Sequence, residues 1–223
     1  MTSVAIVAMG ATHKQYLEAV AAAGGDRRRV ADETWAINAM GDRIEHDRLF
    51  HMDDVAVQEA RAPNNPYIAG LVRMLKKHPG PVYTSVVREG YPGLVAFPLQ
   101  DAITKLGWPY FNTTTAYAFA FAILSGVRQV SLWGMDFIYS NGRKSEEGRS
   151  CLEYWIGFAT ARGMAIRVAS RSGLLDMNRP LSRRLYGYDG MEIEIDAGTV
   201  RMTPRDLPTA AEIERRYALM HMR

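Results

Sequence analysis

The segment Phe111–Tyr139, FNTTTAYAFAFAILSGVRQVSLWGMDFIY, constrains the fold more than any other part of the chain. After a polar turn whose side chains can cap a helix, Tyr117–Leu124 is apolar on every face and must be buried on all sides. The apolar run Val130–Trp133 is typical of a strand covered on both faces. We therefore predict a buried helix and a buried strand, whose aromatic side chains belong to the core rather than to a ligand site: Tyr117, Phe119, Phe121 and Trp133.

Strand and helix patterns alternate along residues 1–170, which is typical of parallel α/β domains. A short apolar strand at Val4–Ala8 is followed by a glycine turn and a helix pattern. Further strands are predicted at Trp35–Asn38, Leu49–Met52, Val82–Ser85, Leu94–Phe97 and Ala165–Ala169. The chain is therefore predicted to have an α/β, Rossmann-like fold, with a largely parallel sheet that carries helices on both faces.

Local patterns also predict where helices begin. Thr12–Gln15 and Ser150–Glu153 have the spacing of a capping box, in which two side chains three residues apart cap the helix reciprocally. Asn65 followed by Pro66 is typical of a helix N-terminus, because proline suits the first helical position. Capping explains Glu153, so we do not expect it to act as a catalytic acid.

The sequence pattern changes after residue 179. Residues 1–179 are predicted to form the Rossmann-like domain, which would bind a nucleotide, and residues 180–223 a C-terminal appendage. Met191–Ile195 alternates strictly between apolar and acidic residues, Val200–Met202 can form the return strand of a hairpin, and Thr209–Met220 is predicted as a charged helix. This appendage could be a lid, an edge cover or a dimer arm, so a homo-oligomer is possible.

Charge and cysteine content limit the class of protein. The chain has 27 Lys and Arg against 24 Asp and Glu, a net charge of +3 that is too small for a dedicated nucleic-acid binder but compatible with anionic ligands. Its one cysteine, Cys151, cannot form an intramolecular disulfide, and a packing role is favoured over a nucleophilic one. No segment approaches the roughly 20 apolar residues that span a bilayer. We expect a cytoplasmic protein without a membrane span.

Parallel sheets of this kind bind ligands at the carboxyl ends of their strands, where this chain places polar residues and glycines. The turn Ala8–Thr12 can present backbone N–H groups to a phosphate, or it can be a plain tight turn. Asn38 and Asp53 stand at predicted strand ends, where each could bond a base or a ribose or simply form a turn. The candidate binding residues are Gly10, Thr12, Asn38, Asp53, Asn112, Thr113, Thr114, Thr115 and Gly134.

Asp136 is the strongest single candidate for a chemical role. Its carboxylate follows a buried strand and a glycine, where it could accept a ribose hydroxyl or act as a base; the alternative is that it caps the loop Ile138–Ser145. Tyr139 is the second candidate, because its hydroxyl could donate to a departing phosphate. Three basic residues downstream could clamp phosphates, although a solvated loop explains them equally well: Arg143, Lys144 and Arg149.

Neither HExxH nor a CxxC pair occurs, and no two histidines have metal-ligand spacing, so no metal site is predicted. His46 and His51 are five residues apart around a predicted strand, and the other histidines are isolated. Surface or capping roles are therefore predicted for all five histidines: His13, His46, His51, His78 and His221.

One segment carries a resemblance to a known family. Ser125–Phe137, SGVRQVSLWGMDF, resembles the segment SG-x-K-x-I-x-L-x-G-x-D-F shared by bacterial sialyltransferases of the Campylobacter type and by the related motility-accessory and pterin-diphosphokinase-like proteins. The resemblance spans roughly residues 3–176, but only Ser125–Phe137 is specific. It implies that a nucleotide, usually CMP, is surrounded by the positions Gly10 to Thr12, Asn38, Asn112 to Thr115 and Gly134 to Asp136.

Two features of the sialyltransferases are missing here. They carry Asn between two glycines in the first turn, where this chain has Met9 before Gly10. They also use a histidine base from a later lid, whereas no histidine occurs here between His78 and His221. The donor chemistry therefore has to be tested separately from the fold.

Three functions are compatible with these patterns. The leading hypothesis is a metal-independent glycosyltransferase that uses a nucleotide sugar of the CMP type as its substrate and holds no tightly bound cofactor. The second is an ATP-dependent pyrophosphokinase that acts on a pterin-like alcohol and needs Mg²⁺. The third is a non-catalytic Rossmann-like interaction module, in which the arginine-rich segment Arg179–Arg184 would bind a protein or DNA partner.

Overall fold

A computed structural model describes residues 2–188, 190–196 and 198–221 of the chain. The strands of its main sheet are short, and each is followed by a turn or a helix. They are β1 (Ser3–Val7), β2 (Glu33–Ile37), β3 (Arg48–Phe50), β4 (Val82–Thr84), β5 (Leu94–Ala96), β6 (Gln129–Trp133) and β7 (Ala165–Val168). These seven strands, all parallel, form one sheet in the order β5-β4-β3-β2-β1-β6-β7.

Helices cover both faces of this sheet because successive side chains of a strand point to opposite sides. Val4 and Ile6 of β1 share a buried cluster with Phe119 and Trp155, whereas Ala5 and Val7 belong to a second cluster on the other face. The helices are α1 (His13–Ala22), α2 (Val55–Arg61), α3 (Pro66–Lys77), α4 (Leu99–Leu106), α5 (Thr114–Leu124) and α6 (Gly142–Thr160). Cluster membership places α4, α5 and α6 on the first face and α1, α2 and α3 on the second. The predicted Rossmann-like architecture is confirmed.

The strand order reverses between β1 and β6. The chain builds outward from β1 to β5 and then returns, so that β6 pairs with β1 along Ser3↔Gln129 to Val7↔Trp133. In open α/β sheets the turns on either side of such a reversal splay apart, which opens a crevice at the carboxyl ends of the two strands. The sheet order therefore brings the turn after β1 and the turn after β6 together.

Of the three predicted helix starts, one is confirmed in full, one in position but without its capping bond, and one is wrong. Thr12 precedes α1, but its hydroxyl makes no capping bond because it donates to the carboxylate of Asp136 instead. Helix α6 begins at Gly142, where Asn141 accepts a bond from the N–H of Lys144, so Ser150 lies inside a helix rather than at its start. The side chain of Asn65 caps α3 as predicted, accepting from two backbone N–H groups.

The prediction of isolated histidines is also wrong. His46 and His78 are half-buried, with their Nε2 atoms 2.9 Å apart. The Nδ1 of His46 lies 2.8 Å from the carbonyl oxygen of Ile44 and must donate to it, while the Nδ1 of His78 accepts from the N–H of Gly80. The N–H at Nε2 of His78 therefore donates to Nε2 of His46, and both rings are neutral.

This histidine pair should make the protein less stable as the pH falls below about 6.5. Burial, together with repulsion from His46, lowers the pKa of His78, so the unfolded chain takes up a proton at a higher pH than the folded one. Stability is then complete above the unfolded pKa and is lost as the pH falls towards the folded pKa. We expect urea titrations between pH 7.5 and 5 to show this loss, with a slope of at most about 1.4 kcal/mol per pH unit from His78 and a further contribution from His51, whose pKa burial also lowers.

The matched variant for this test is His78→Asn, because an asparagine oxygen can replace Nδ1 as the acceptor of the Gly80 N–H while removing the titrating ring. Its unfolding free energy should change less over the same pH range than that of the unaltered chain. Identical pH dependence in both proteins would exclude His78 as the source of the effect.

A second compact unit, Arg179–Arg223, follows the first unit, Met1–Asn178. It contains α7 (Leu181–Arg184), the antiparallel hairpin of β8 (Met191–Asp196) and β9 (Thr199–Pro204), and α8 (Ala210–His221). The predicted hairpin and helix are therefore present. The side chain of Arg183, which the interaction-module hypothesis invokes, lies outside the described part of the structure. Among the helices described, none has the length and apolar character needed to cross a membrane.

Candidate functional site

A cleft of about 920 Å³ opens at the carboxyl ends of the strands, beside the reversal between β1 and β6. Its volume is in the range of small-molecule sites. Every predicted site residue except Thr12 lines this cleft. The lining residues are Ala8, Met9, Gly10, Ala11, Ile37, Asn38, Met52, Asp53, Phe111, Asn112, Thr113, Thr114, Thr115, Tyr117, Gly134, Met135, Asp136, Phe137, Ile138, Tyr139, Lys144, Glu147 and Gly148.

Asp136 and Thr12 join the two central turns of the sheet. One carboxylate oxygen of Asp136 accepts from the backbone N–H of Thr12 at 2.8 Å, and the other accepts from its hydroxyl at 2.5 Å. The same hydroxyl accepts from the N–H of Gly134 at 2.9 Å. Both side chains are buried, with Asp136 only 5% exposed. Both carboxylate oxygens thus accept hydrogen bonds within the protein, so the first role of the carboxylate is to link the two turns.

The two glycines of these turns are required by close packing. A Cβ atom on Gly134 would lie 2.0 Å from the carbonyl oxygen of Ala8, and Gly134 has φ +70°. A Cβ atom on Gly10 would lie 2.6 Å from the carbonyl oxygen of Gly134 and 2.7 Å from a carboxylate oxygen of Asp136. The N–H of Gly10 donates to the carbonyl of Gly134 at 2.8 Å. Glycine at both positions therefore lets the two turns come into contact.

These contacts use some of the backbone donors that the sequence assigns to a phosphate at the first turn. The N–H groups of Gly10 and Thr12 are bonded to Gly134 and Asp136. The next N–H group, that of His13, bonds to the carbonyl of Gly10 at 3.0 Å. The first turn is thus partly a structural junction, and among its residues Met9 and Ala11, which line the cleft, keep N–H groups that could donate to an anion.

Helix α5 offers such donors, because its N-terminus opens into the cleft. The hydroxyl of Thr113 caps the helix by accepting from the N–H of Ala116 at 3.2 Å, and it also lies 2.8 Å from the hydroxyl of Thr115. Thr114 and Thr115 occupy the first two helical positions, whose N–H groups have no partner within a helix. These N–H groups and the helix dipole favour an anionic group at this end of the cleft.

Asn112 connects α5 to α6. Its side-chain amide donates to the carbonyl of Glu147 at 3.0 Å, and its backbone N–H lies 3.5 Å from the sulfur of Cys151. Cys151 is fully buried in the middle of α6, and burial raises the pKa of its thiol. These contacts support the predicted packing role of Cys151.

Asn38 and Asp53 line the side of the cleft formed by β2 and β3. Asn38 has φ +53°, a left-handed conformation that asparagine tolerates better than most residues. Its Oδ1 lies 3.0 Å from Nδ1 of His51, which is fully buried. Asp53 is exposed to the cleft. The prediction of a surface or capping role for His51 is therefore wrong.

Tyr139 stands at the mouth of the cleft. Tyr139 is 59% exposed, and the neighbouring Ile138 is 79% exposed. The backbone N–H of Tyr139 donates to the hydroxyl of Ser145 at 2.8 Å. Phe137 precedes them with φ +50°, and a Cβ atom on Gly148 would lie 2.9 Å from its ring. Gly148 therefore lets α6 pack closely against the phenyl ring that lines the cleft.

Several lining residues were not predicted. Tyr117 lines the cleft, so its exclusion from the possible ligand contacts is wrong, whereas Phe119 is fully buried as predicted. Phe111 packs on Tyr117, with ring centroids 5.1 Å apart. Glu147 reaches the cleft because α6 begins at Gly142. The ion pairs Arg143–Glu147 and Arg149–Glu153 have the helical spacing of four residues and could have indicated that longer helix.

Of the three basic residues that could clamp phosphates, only Lys144 lines the cleft. Arg143 binds Glu147, and Arg149 binds Asp176 with an N···O distance of 3.3 Å. Within the described residues, no group of three or more His, Cys, Asp or Glu side chains could hold a metal ion.

Comparisons of this chain with protein-family models, with curated proteins and with solved structures found no match.

Proposed function

We propose that this protein is a nucleotide-binding transferase, and specifically a glycosyltransferase that takes a CMP-type nucleotide sugar without a protein-bound metal. The observation that carries the proposal is the N-terminus of α5, which opens into a large cleft at the strand-order reversal. A crevice of this kind at the carboxyl edge is where doubly wound sheets bind nucleotides.

The cleft offers separate surroundings for a charged and an uncharged part of such a ligand. The N–H groups of Thr114 and Thr115 favour a phosphate, and the ammonium group of Lys144 lines the same cleft. Phe111, Tyr117 and Phe137 add aromatic surface, on which a base or sugar can pack. A nucleotide combines these two kinds of group in one molecule.

Two residues have roles in the proposed reaction. Asp136 is a positioning residue, because it fixes the turn that carries Phe137 and Tyr139 into the cleft. Tyr139 is exposed at the cleft mouth, where its hydroxyl could donate a proton to the phosphate that leaves the sugar. The acceptor hydroxyl would approach from the same open side.

Calorimetric titration with CMP, UMP, AMP, GMP and the parent nucleosides tests the binding step. We expect CMP to bind, and a ligand present at about 100 times its dissociation constant should stabilise the fold by about 2.7 kcal/mol. A sugar donor such as a CMP-sugar should then be turned over equally well with and without EDTA. If none of the nucleotides or sugar nucleotides binds, the proposal fails; ATP turnover that requires Mg²⁺ would favour the pyrophosphokinase instead.

The variant Thr114→Pro tests the α5 N-terminus with little effect on the fold. Proline removes one N–H group at the first helical position, which helices tolerate. The preceding Thr113 is already extended, with φ −144° and ψ 150°, as Asn65 is before the natural Pro66 at the start of α3. We expect CMP affinity to fall about tenfold, which corresponds to about 1.4 kcal/mol, and cytidine affinity to stay unchanged. Equal losses for CMP and cytidine would contradict a phosphate at this position.

A further inference from the structure

His51 has a side chain that the proposed reaction does not use. It is fully buried beside the cleft, directly after β3, and it does not line the cleft itself. Its Nδ1 lies 3.0 Å from Oδ1 of Asn38, whereas its Nε2 has no hydrogen-bond partner within the described residues. A buried polar atom without a partner is unusual in a folded protein and needs an explanation.

The contact with Asn38 defines the protonation of the ring. An amide oxygen can only accept, so Nδ1 of His51 must carry the proton and donate. Nε2 is then an unprotonated nitrogen, and a neutral ring costs less to bury with this atom unpartnered than a charged ring would. Burial lowers the pKa of His51, an effect that the carboxylate of Asp53 partly opposes, and this favours the neutral ring.

The same contact defines the orientation of the Asn38 amide. Because Oδ1 is held by His51, the amide NH2 group is left for the cleft that Asn38 lines. Within the described part of the chain, no side chain or carbonyl accepts a hydrogen bond from this group. The left-handed backbone at Asn38, φ +53°, restricts the position to residues that tolerate this conformation.

We propose that His51 is a positioning residue that turns the Asn38 amide so that its NH2 group meets a hydrogen-bond acceptor on the bound ligand. This inference rests on the proposed nucleotide site and specifies which chemical group the ligand presents there. Asp53 lines the same cleft from the neighbouring strand, and its carboxylate would repel a phosphate. The acceptor is therefore an oxygen or ring nitrogen of the base or sugar.

Long-range ¹H–¹⁵N correlation spectra of the histidine rings test the orientation without any ligand. We expect His51, assigned by its absence from the spectrum of His51→Asn, to be neutral at pH 7.5 with its proton on Nδ1. A proton on Nε2 would mean that the Asn38 amide is turned the other way, which would overturn the proposal. This result does not depend on whether the protein binds nucleotides.

Two substitutions of His51 test its effect on binding. His51→Asn keeps a donor near the position of Nδ1, and His51→Leu removes it. With both variants folded by circular dichroism, cytidine affinity should stay within about threefold for His51→Asn and fall about tenfold for His51→Leu, as for one lost hydrogen bond. Equal affinities in the two variants would show that His51 only packs.

Asn38→Asp identifies the ligand group. Aspartate keeps the shape, the left-handed tolerance and the acceptor for His51, but it replaces the NH2 group by an oxygen. We expect about a tenfold loss for cytidine and a loss at least as large for CMP, because the new carboxylate also repels the phosphate. A loss confined to CMP would reflect repulsion of the phosphate by the new carboxylate and would overturn the assignment to base or sugar, and no loss for either ligand would overturn the contact. If cytidine and CMP do not bind the unaltered protein at all, the proposed function fails while the spectroscopic result still decides the orientation of Asn38.

Discussion

Replacing Gly134 with alanine should reduce the free energy of unfolding by about 3 kcal/mol or more. The new Cβ atom would lie 2.0 Å from the carbonyl oxygen of Ala8, which belongs to the backbone of the adjoining turn and cannot move aside as a flexible side chain would. Overpacking of this kind costs about 1–3 kcal/mol. The left-handed conformation, φ +70°, adds about 1–2 kcal/mol for a residue with a side chain.

Gly126 provides the matched control. It has almost the same backbone angle, φ +68°, but a Cβ atom there would meet nothing within 4 Å. Gly126→Ala should therefore cost only the conformational part, about 1–2 kcal/mol. Denaturation by urea at 25 °C measures both variants, and the difference between them isolates the contact with Ala8. Two equal values would mean that the turns after β1 and β6 are not packed as described.

Replacing Asp136 with asparagine should cost about 2–3 kcal/mol of stability, whether or not the residue takes part in a reaction. Both carboxylate oxygens accept hydrogen bonds from Thr12, one from its N–H and one from its hydroxyl. In asparagine one acceptor becomes an NH2 donor, so a buried donor faces another donor or the Thr12 hydroxyl has to turn away. Leaving a buried polar group unsatisfied costs about 1–3 kcal/mol, and bonds to a charged acceptor are the stronger ones.

Asp53→Asn is the control, because Asp53 is exposed in the same cleft and should change the stability by less than about 0.5 kcal/mol. Equilibrium denaturation and nucleotide titration should be measured on both variants. Asp136→Asn could abolish turnover and still unfold at the same urea concentration as the unaltered chain. The carboxylate would then act as a base rather than as a structural link between the turns, and our assignment of a positioning role would be wrong.

The sequence predicts the sheet well because its patterns are local. Periodicity along a strand and the pair Asn65 and Pro66 depend only on neighbours in the chain, and these predictions are confirmed. One failure involves partners that are far apart in sequence. The hydroxyl of Thr12 could cap its own helix, but it binds a carboxylate 124 residues away instead.

In the candidate cleft, too, local patterns are predicted better than contacts between distant residues. Some of its residues follow strand ends, and strand positions with the rule for parallel sheets were enough to predict these: Gly10, Asn38, Asp53, Gly134 and Asp136. The wholly apolar helix pattern leaves Tyr117 no exposed face and so excludes it from the ligand contacts, yet the first turn of α5 opens into the cleft. The bond between His51 and Asn38 could not be predicted, since nothing in the order of residues fixes which side chain a buried imidazole meets.

The pairing of β1 with β6 also has a consequence for biosynthesis. Strand β1 pairs with β2 on one side, but its other neighbour is formed by residues 129–133, more than 120 residues later in the chain. At about 5–20 residues per second, a ribosome takes roughly 6–25 s to make that intervening length. Until then one edge of β1 has no partner strand, and nascent chains with such an edge are prone to aggregate. The hydrogen bonds between Thr12 and Asp136 can form only once β6 has emerged from the ribosome, so the cleft is among the last parts of the first unit to form.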